Sequence, residues 1–200
     1  MNHGNNEIAE LFQLLFDDTF YFKEQLKSED NQFMRRAYVR SVFAAIEGNN
    51  FNMKQTAFEV SRRSGADFSE EEIGLLKEES YELNDKGEAY AQAKFIQLPK
   101  NVRFAFKAYA HAFQIDYELK VDDSGWMNFK EALELRHRLT HPKTVADINV
   151  TDADLAKVKG AEEWYARSVF DLFVKCLSDS PWFKKFGFEF NPSDLAGDDA

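Results

Sequence analysis

QFMRRAYVRSVFAAIEGNNFNMKQTAFEVSRR, residues Gln32–Arg63, puts Val39, Val42, Ile46, Met53, Ala57 and Val60 on one side when its residues are placed about 100° apart. A period of that kind held over so long a stretch predicts a long helix with a core stripe. A different side of this helix collects Arg36, Arg40, Glu47 and Lys54, interleaved with Phe43 and Phe58. Those charges read as a solvated face, and the mixture with large aromatics also fits the edge of a cleft or interface. Gly48-Asn49-Asn50 is a weak point that could split or kink the helix.

Upstream, Ile8, Leu11, Phe12, Leu15 and Phe16 predict a first amphipathic helix from Glu7 to about Lys27, ended by the polar break Ser28–Asn31. Downstream, Gly65 suits a C-cap, and Ser69-Glu70-Glu71-Glu72 is a capping box opening a short helix over Glu70–Glu79. Glu82–Lys94 is polar and is assigned no element. After Pro99, a helix over about Asn101–Tyr117 aligns Val102, Phe106, Tyr109, Phe113 and Tyr117, with His111 read as a core or half-buried histidine. Asp122–Gly125 is a turn, and Asn128 with Glu131 opens a helix that Pro142 must end. A loop over Thr144–Val150 leads to a cap at Thr151–Asp154 and a final long helix to about Leu177, whose stripe includes Cys176 as a core residue. In the tail, Ser178–Ala200, Phe186, Phe188 and Phe190 alternate as in a short extended segment. The expected fold is all-α: one helical domain over 1–200, a bundle on two long helices with shorter ones, its core at about 32–177 and an aromatic tail at 178–200.

Composition narrows the function classes. An apolar share of 44% with 30% charged residues belongs to a folded chain, not a disordered one. No apolar run approaches the ~20 residues of a membrane span, and Met1–Glu10 lacks an apolar signal core, so a cytoplasmic, non-membrane protein is expected. A single cysteine cannot form an internal disulfide, which fits a reducing compartment. The net charge of −10 argues against a general positive field that coats nucleic acid, but the charge is segregated. Phe33–Gly65 holds six Lys/Arg against Glu47 and Glu59, a balance of +4, and Asn128–Lys143 holds four against Glu131 and Glu134, a balance of +2.

The second basic stretch carries the chemistry. Glu134–Lys143, ELRHRLTHPK, packs two of the four histidines with two arginines and a lysine at the end of a predicted helix. On that helix Arg136 falls inside the apolar face of Phe129, Ala132, Leu133, Leu135 and Leu139, with Thr140 beside it. An arginine aimed there must be paired, reach a cleft or lie at an interface, and Glu47 is a candidate partner. Pro142 disfavours the helical conformation at His141, so the chain is expected to leave the helix there and free His141 to turn back. A histidine able to move a proton, beside an arginine able to bind phosphate, is what metal-free phosphodiester cleavage requires. One group handles the proton of a 2′-hydroxyl or of the leaving oxygen, and the other stabilises charge building on phosphorus.

Arg136-His137-Arg138-Leu139-Thr140-His141 resembles the Arg-x4-6-His motif of the HEPN superfamily, small helical bundles that include many metal-independent ribonucleases. Arg35–Gly48 also resembles the earlier long helix of some members. The resemblance covers about Gln32–Leu177. It implies a homodimer whose two motifs share one cleft, with Arg136 and His141 as the catalytic pair and His137, Thr140 and Glu47 in support. It implies RNA as the substrate, no cofactor and no metal; on charge grounds alone, Arg138, Lys143, Arg36 and Arg40 are candidate RNA-backbone contacts. It further implies a toxin or antiphage effector, with an antitoxin or regulatory protein as another partner. Some toxin members carry a tyrosine two residues after the histidine as a site of modification; Lys143 stands there in this chain.

Three other readings attach to the same residues. The stretch could be a charged helix terminus whose arginine pairs internally and whose histidines cap carbonyls. His137 and His141 at i, i+4 could hold zinc, although Arg138 stands where a zincin pattern needs glutamate and the surrounding cations oppose a divalent metal. The chain could also be a non-catalytic HEPN-like binding or regulatory module.

Overall fold

The computed structural model describes residues 3–185, with side chains from residue 10 onward. Its elements are α1 (His3–Ser28), α2 (Gln32–Ser64), α3 (Glu70–Lys77), strands β1 (Glu79–Leu83) and β2 (Ala89–Ala93), α4 (Leu98–Ala112), α5 (Ser124–Thr140), a 3-10 turn (Val145–Ile148), α6 (Asp152–Asp179) and α7 (Pro181–Lys185). Over the described residues the protein is therefore a helical bundle with one small hairpin. No helix among the described residues is long and apolar enough to cross a membrane. Two compact units divide the chain, Met1–Asn49 with Lys120–Ser168 and Asn50–Leu119 with Val169–Ala200.

The first unit is centred on aromatic packing between α2, α5 and α6. Phe129 of α5 lies 6.2 Å from Phe43, 5.1 Å from Trp126 and 5.5 Å from Trp164, ring centre to ring centre. Such contacts add about 0.5–1.5 kcal/mol each beyond the area they bury. Phe43 is thus a core residue, not part of a charged face as its sequence neighbours suggested. α2 runs unbroken through Gly48-Asn49-Asn50. Glycine at 48 serves close approach instead of a kink, since a Cβ there would lie 2.4 Å from Leu15 Cδ1 of α1.

α5 starts at Ser124, not at Asn128, because the carboxylate of Asp123 accepts from Trp126 N–H at 2.9 Å and caps the helix a turn earlier. Gly125 in its first turn then closes on Trp164; a Cβ would sit 2.5–2.6 Å from three of that side chain's carbons. On α1 the inward positions are Leu15, Thr19, Phe22 and Leu26, whereas Leu11, Phe12 and Phe16 are exposed. Phe12 and Phe16 are rotated past that stripe, and they stack on each other with centres 6.5 Å apart.

In the second unit, the capping box at Ser69 and Glu72 opens α3 as expected, and Glu78 in the left-handed region (φ 56°) ends it. Lys54 contradicts the solvated-face reading outright. Its side chain is fully buried, its ammonium donates to Glu78, and it donates to Asn101 Oδ1 at 2.8 Å. Burial pushes this ammonium below the ordinary lysine value, against the opposing pull of the Glu78 carboxylate.

The unassigned stretch after α3 forms an antiparallel hairpin with Glu79 opposite Ala93 and Leu83 opposite Ala89. Its turn uses Gly87 at φ 77°, and Asn84 Oδ1 accepts from the N–H groups of Lys86 and Glu88 at 2.9 and 3.0 Å. α4 begins at Leu98, because Pro99 fits a first helical turn that needs no N–H. It ends at Ala112, so Tyr117 reaches Phe106 from beyond the helix, with ring centres 6.2 Å apart. His111 is exposed instead of half-buried, edge-on to Phe68, with Nε2 3.0 Å from Asp67 O. Cys176 is buried as expected, and burial pushes its thiol up to about 12. Residues 178 and 179 extend α6 and 181–185 form α7, where an extended tail was predicted to begin; Phe186, Phe188 and Phe190 lie outside the described residues.

Candidate functional site

The end of α5 is built from backbone groups that a helix leaves unsatisfied. Thr140 Oγ1 donates back to Arg136 O at 2.8 Å, His141 N–H donates to His137 O at 3.0 Å, and Arg40 Nη2 of α2 donates to Leu139 O at 3.3 Å. His141 is the C-cap, at φ −126° and ψ 55°, so the chain turns out of the helix there as Pro142 requires.

The exit path is fixed by its own capping groups. The Asp147 carboxylate accepts from Lys143 N–H at 2.9 Å, Thr144 N–H at 2.7 Å and the Thr144 hydroxyl at 3.0 Å. Those hydrogen bonds, the backbone ones foremost, hold the Asp147 carboxyl below the usual carboxylate range. Further along, Gln32 and Val150 exchange hydrogen bonds at 2.8 and 2.9 Å. Arg36 donates to Ile148 O at 3.3 Å, and Arg35 donates to Val150 O at 3.0 Å while pairing with Asp30 and Asp152. Arg36 and Arg40, read from charge as RNA contacts, thus also tie the end of α5 and the loop that follows it to α2.

Arg136 is where the apolar face places it, and it is paired. Its Nη2 donates to Glu47 Oε1 of α2 at 2.8 Å, the partner named from the sequence. With side chains 28% and 42% exposed, the pair is open to water and worth no more than about 1 kcal/mol. An incoming anion can compete for that guanidinium. Arg138 reaches Asp154 of α6 at 3.6 Å, a partner the sequence did not indicate. Thr151 and Asp154 also cap α6 reciprocally, so one carboxylate holds both the helix start and Arg138.

The remaining predicted residues are uncommitted. His137, His141 and Lys143 are exposed. Among the described residues, the two imidazoles and the Lys143 ammonium make no side-chain hydrogen bond or ion pair, and no cluster of three or more His, Cys, Asp or Glu side chains is placed to hold a metal ion. The sequence reading missed the roles of Arg35 and Asp147 and the pairing of Asp154 with Arg138. Asp147 had a local signal, a Thr-x-x-Asp spacing after the proline, the same spacing that Thr151 and Asp154 show.

No protein-family model matches the chain, and neither the curated proteins nor the solved structures give a significant match.

Proposed function

We propose that this chain is a metal-independent endoribonuclease of HEPN type. The observation that supports the reading is the division of labour at the end of α5: an arginine held by a water-exposed carboxylate, followed within five residues by two exposed imidazoles that make no side-chain hydrogen bond or ion pair among the described residues. In this mechanism the scissile phosphate displaces Glu47 from Arg136. His141 takes the proton of the RNA 2′-hydroxyl, whose oxygen attacks the adjacent phosphorus. The P–O5′ bond breaks as His141 hands that proton on to the leaving 5′-oxygen, and the products are a 5′-hydroxyl and a 2′,3′-cyclic phosphate. Arg136 stabilises the charge that builds on the phosphoryl oxygens. A second copy supplies the other half of the site, and His137 or Thr140 orients the groups. A place in toxin–antitoxin or antiphage defence, with an antitoxin or regulatory protein as partner, goes with this reading.

A non-catalytic binding module is the second reading. It is favoured by the engagement of both arginines of the motif, Arg136 with Glu47 and Arg138 with Asp154.

Incubation of the protein with a mixed RNA pool in EDTA separates the two. Cleavage that persists in chelator, ends in cyclic phosphate and falls at least a hundredfold in both Arg136→Ala and His141→Ala is the expected result. RNA binding without cleavage by the folded protein, unchanged in His141→Ala, would establish the second reading.

A further inference from the structure

The β1–β2 hairpin has an unusual surface. Alternation along its strands puts Tyr81, Leu83, Ala89, Ala91 and Ala93 on one face together with Glu79, whose carboxylate accepts from the Tyr81 hydroxyl at 3.0 Å, and Ser80, Glu82, Tyr90 and Gln92 on the other. Half-buried hairpins keep the apolar face inward, yet here Tyr81 is 64% and Leu83 70% exposed, and Phe95, two residues past Ala93, is 90% exposed. The sheet has two strands, so each strand keeps one open edge among the described residues.

The phase of the ladder identifies what each edge offers. Lys94 N–H donates to Glu78 O at 2.7 Å and Asn84 N–H to Glu88 O at 3.0 Å, so even-numbered residues bond across the hairpin. The N–H and C=O groups of Ala89, Ala91 and Ala93 therefore point outward from β2. This edge has none of the usual protections: it carries no charge, no proline and no bulge, and it is lined by the smallest side chains.

We infer that β2 pairs with β2 of a second copy, antiparallel about a two-fold axis at Ala91, to make a four-stranded sheet across two protomers. The sequence of the strand, Ala-Tyr-Ala-Gln-Ala, reads almost alike in both directions. The axis sets Ala91 against its counterpart and Ala89 against Ala93, joining the two apolar faces into one. On the other face Tyr90 meets Gln92, a phenol against an amide. No charges are opposed along this seam. The same operation on β1 would gather Glu79 and Glu82 of both copies along one seam, which disfavours that edge. Strands of five residues make a short seam, well below the ~800 Å² per partner of a stable interface, so the association is concentration-dependent.

This inference is independent of the α5 site. Sedimentation velocity over a concentration series, with amide exchange at Ala89, Ala91 and Ala93, tests it on the whole chain. In the wild type, association and slowed exchange at these amides should rise together with concentration. Ala91→Pro removes an outward N–H that the hairpin does not use, and Ala91→Lys sets like charges across the axis. Each should weaken association at least tenfold with helicity unchanged. Association like wild type in either variant overturns the pairing, and so does a wild type whose Ala91 amide exchanges freely at every concentration. Protection independent of concentration would mean that the chain covers its own edge, and also overturns it. A dimer assembled through the α5 motifs would survive both substitutions, so the two ideas fail separately.

Discussion

Asp147 is the residue on which the geometry after Pro142 depends. It draws together two consecutive backbone N–H groups and a hydroxyl, and so fixes where Lys143 leaves the helix end. Because those bonds lower its carboxyl, folding favours the ionised form. The stabilisation is complete above the unfolded carboxyl value of about 3.9 and is lost as pH falls through the lowered folded value. The Lys143 and Thr144 amide resonances should therefore titrate together, with a midpoint below that of a free aspartate. In Asp147→Asn this titration should vanish. A midpoint at or above the ordinary value would contradict the assignment of these hydrogen bonds.

At the scale of elements, the joint between α2, α3, α4 and the hairpin rests on Lys54. Glu78 ends α3, accepts Lys94 N–H to start the hairpin, and takes the Lys54 ammonium, while Asn101 brings in α4. The pair is asymmetric: Lys54 is sealed, but the Glu78 side chain is 35% exposed. Glu78→Ala would strand a buried cation and should cost on the order of 3 kcal/mol, the low end for breaking a buried pair because one side is wet. Lys54→Met keeps the volume and leaves a carboxylate that water can reach, so its cost should stay below about 1 kcal/mol. Denaturant unfolding of the two variants gives the comparison, and equal costs would refute the asymmetry.

Lys54 also marks the limit of what periodicity discloses. Helical spacing located α2 and α6 closely because Val39, Val42 and Ile46, or Leu155, Val158 and Ala161, need only fall on one face to be buried. A buried lysine depends on partners 24 and 47 positions away, which no local pattern encodes. The hairpin escaped for a different reason: β2 is alanine-rich, without β-branched residues, and its apolar face lies in water. The turn Asn84-Asp85-Lys86-Gly87 was the available signal. At the site, the apolar angle of Arg136 was enough to require a partner, and that partner is Glu47. The commitments of Arg36, Arg40 and Arg138 were hidden because they end on loop carbonyls or on another helix.

For the whole molecule, the question is how a chain of net charge −10 would hold RNA at all. Of the basic residues proposed to touch it, Arg138 already faces a carboxylate and Arg136 only exchanges one anion, Glu47, for another, whereas Arg36 and Arg40 are bonded to neutral carbonyls and the Lys143 ammonium makes no ion pair among the described residues. In the proposed function those three cations, set against a negative background, would form a local grip instead of a basic face. Each phosphate neutralised on a single strand contributes about −0.7 to the slope of log affinity against log salt. Three contacts per copy then give a slope near −2 for one motif and about −4 where two copies share one RNA. Binding measured with His141→Ala, so that no substrate is consumed, should fall between those limits. Lys143→Ala should make the slope shallower by about 0.7 for each copy engaged. A slope near zero would mean that phosphate is not what the site recognises, and one steeper than about −6 would place the contacts on a surface larger than the end of α5.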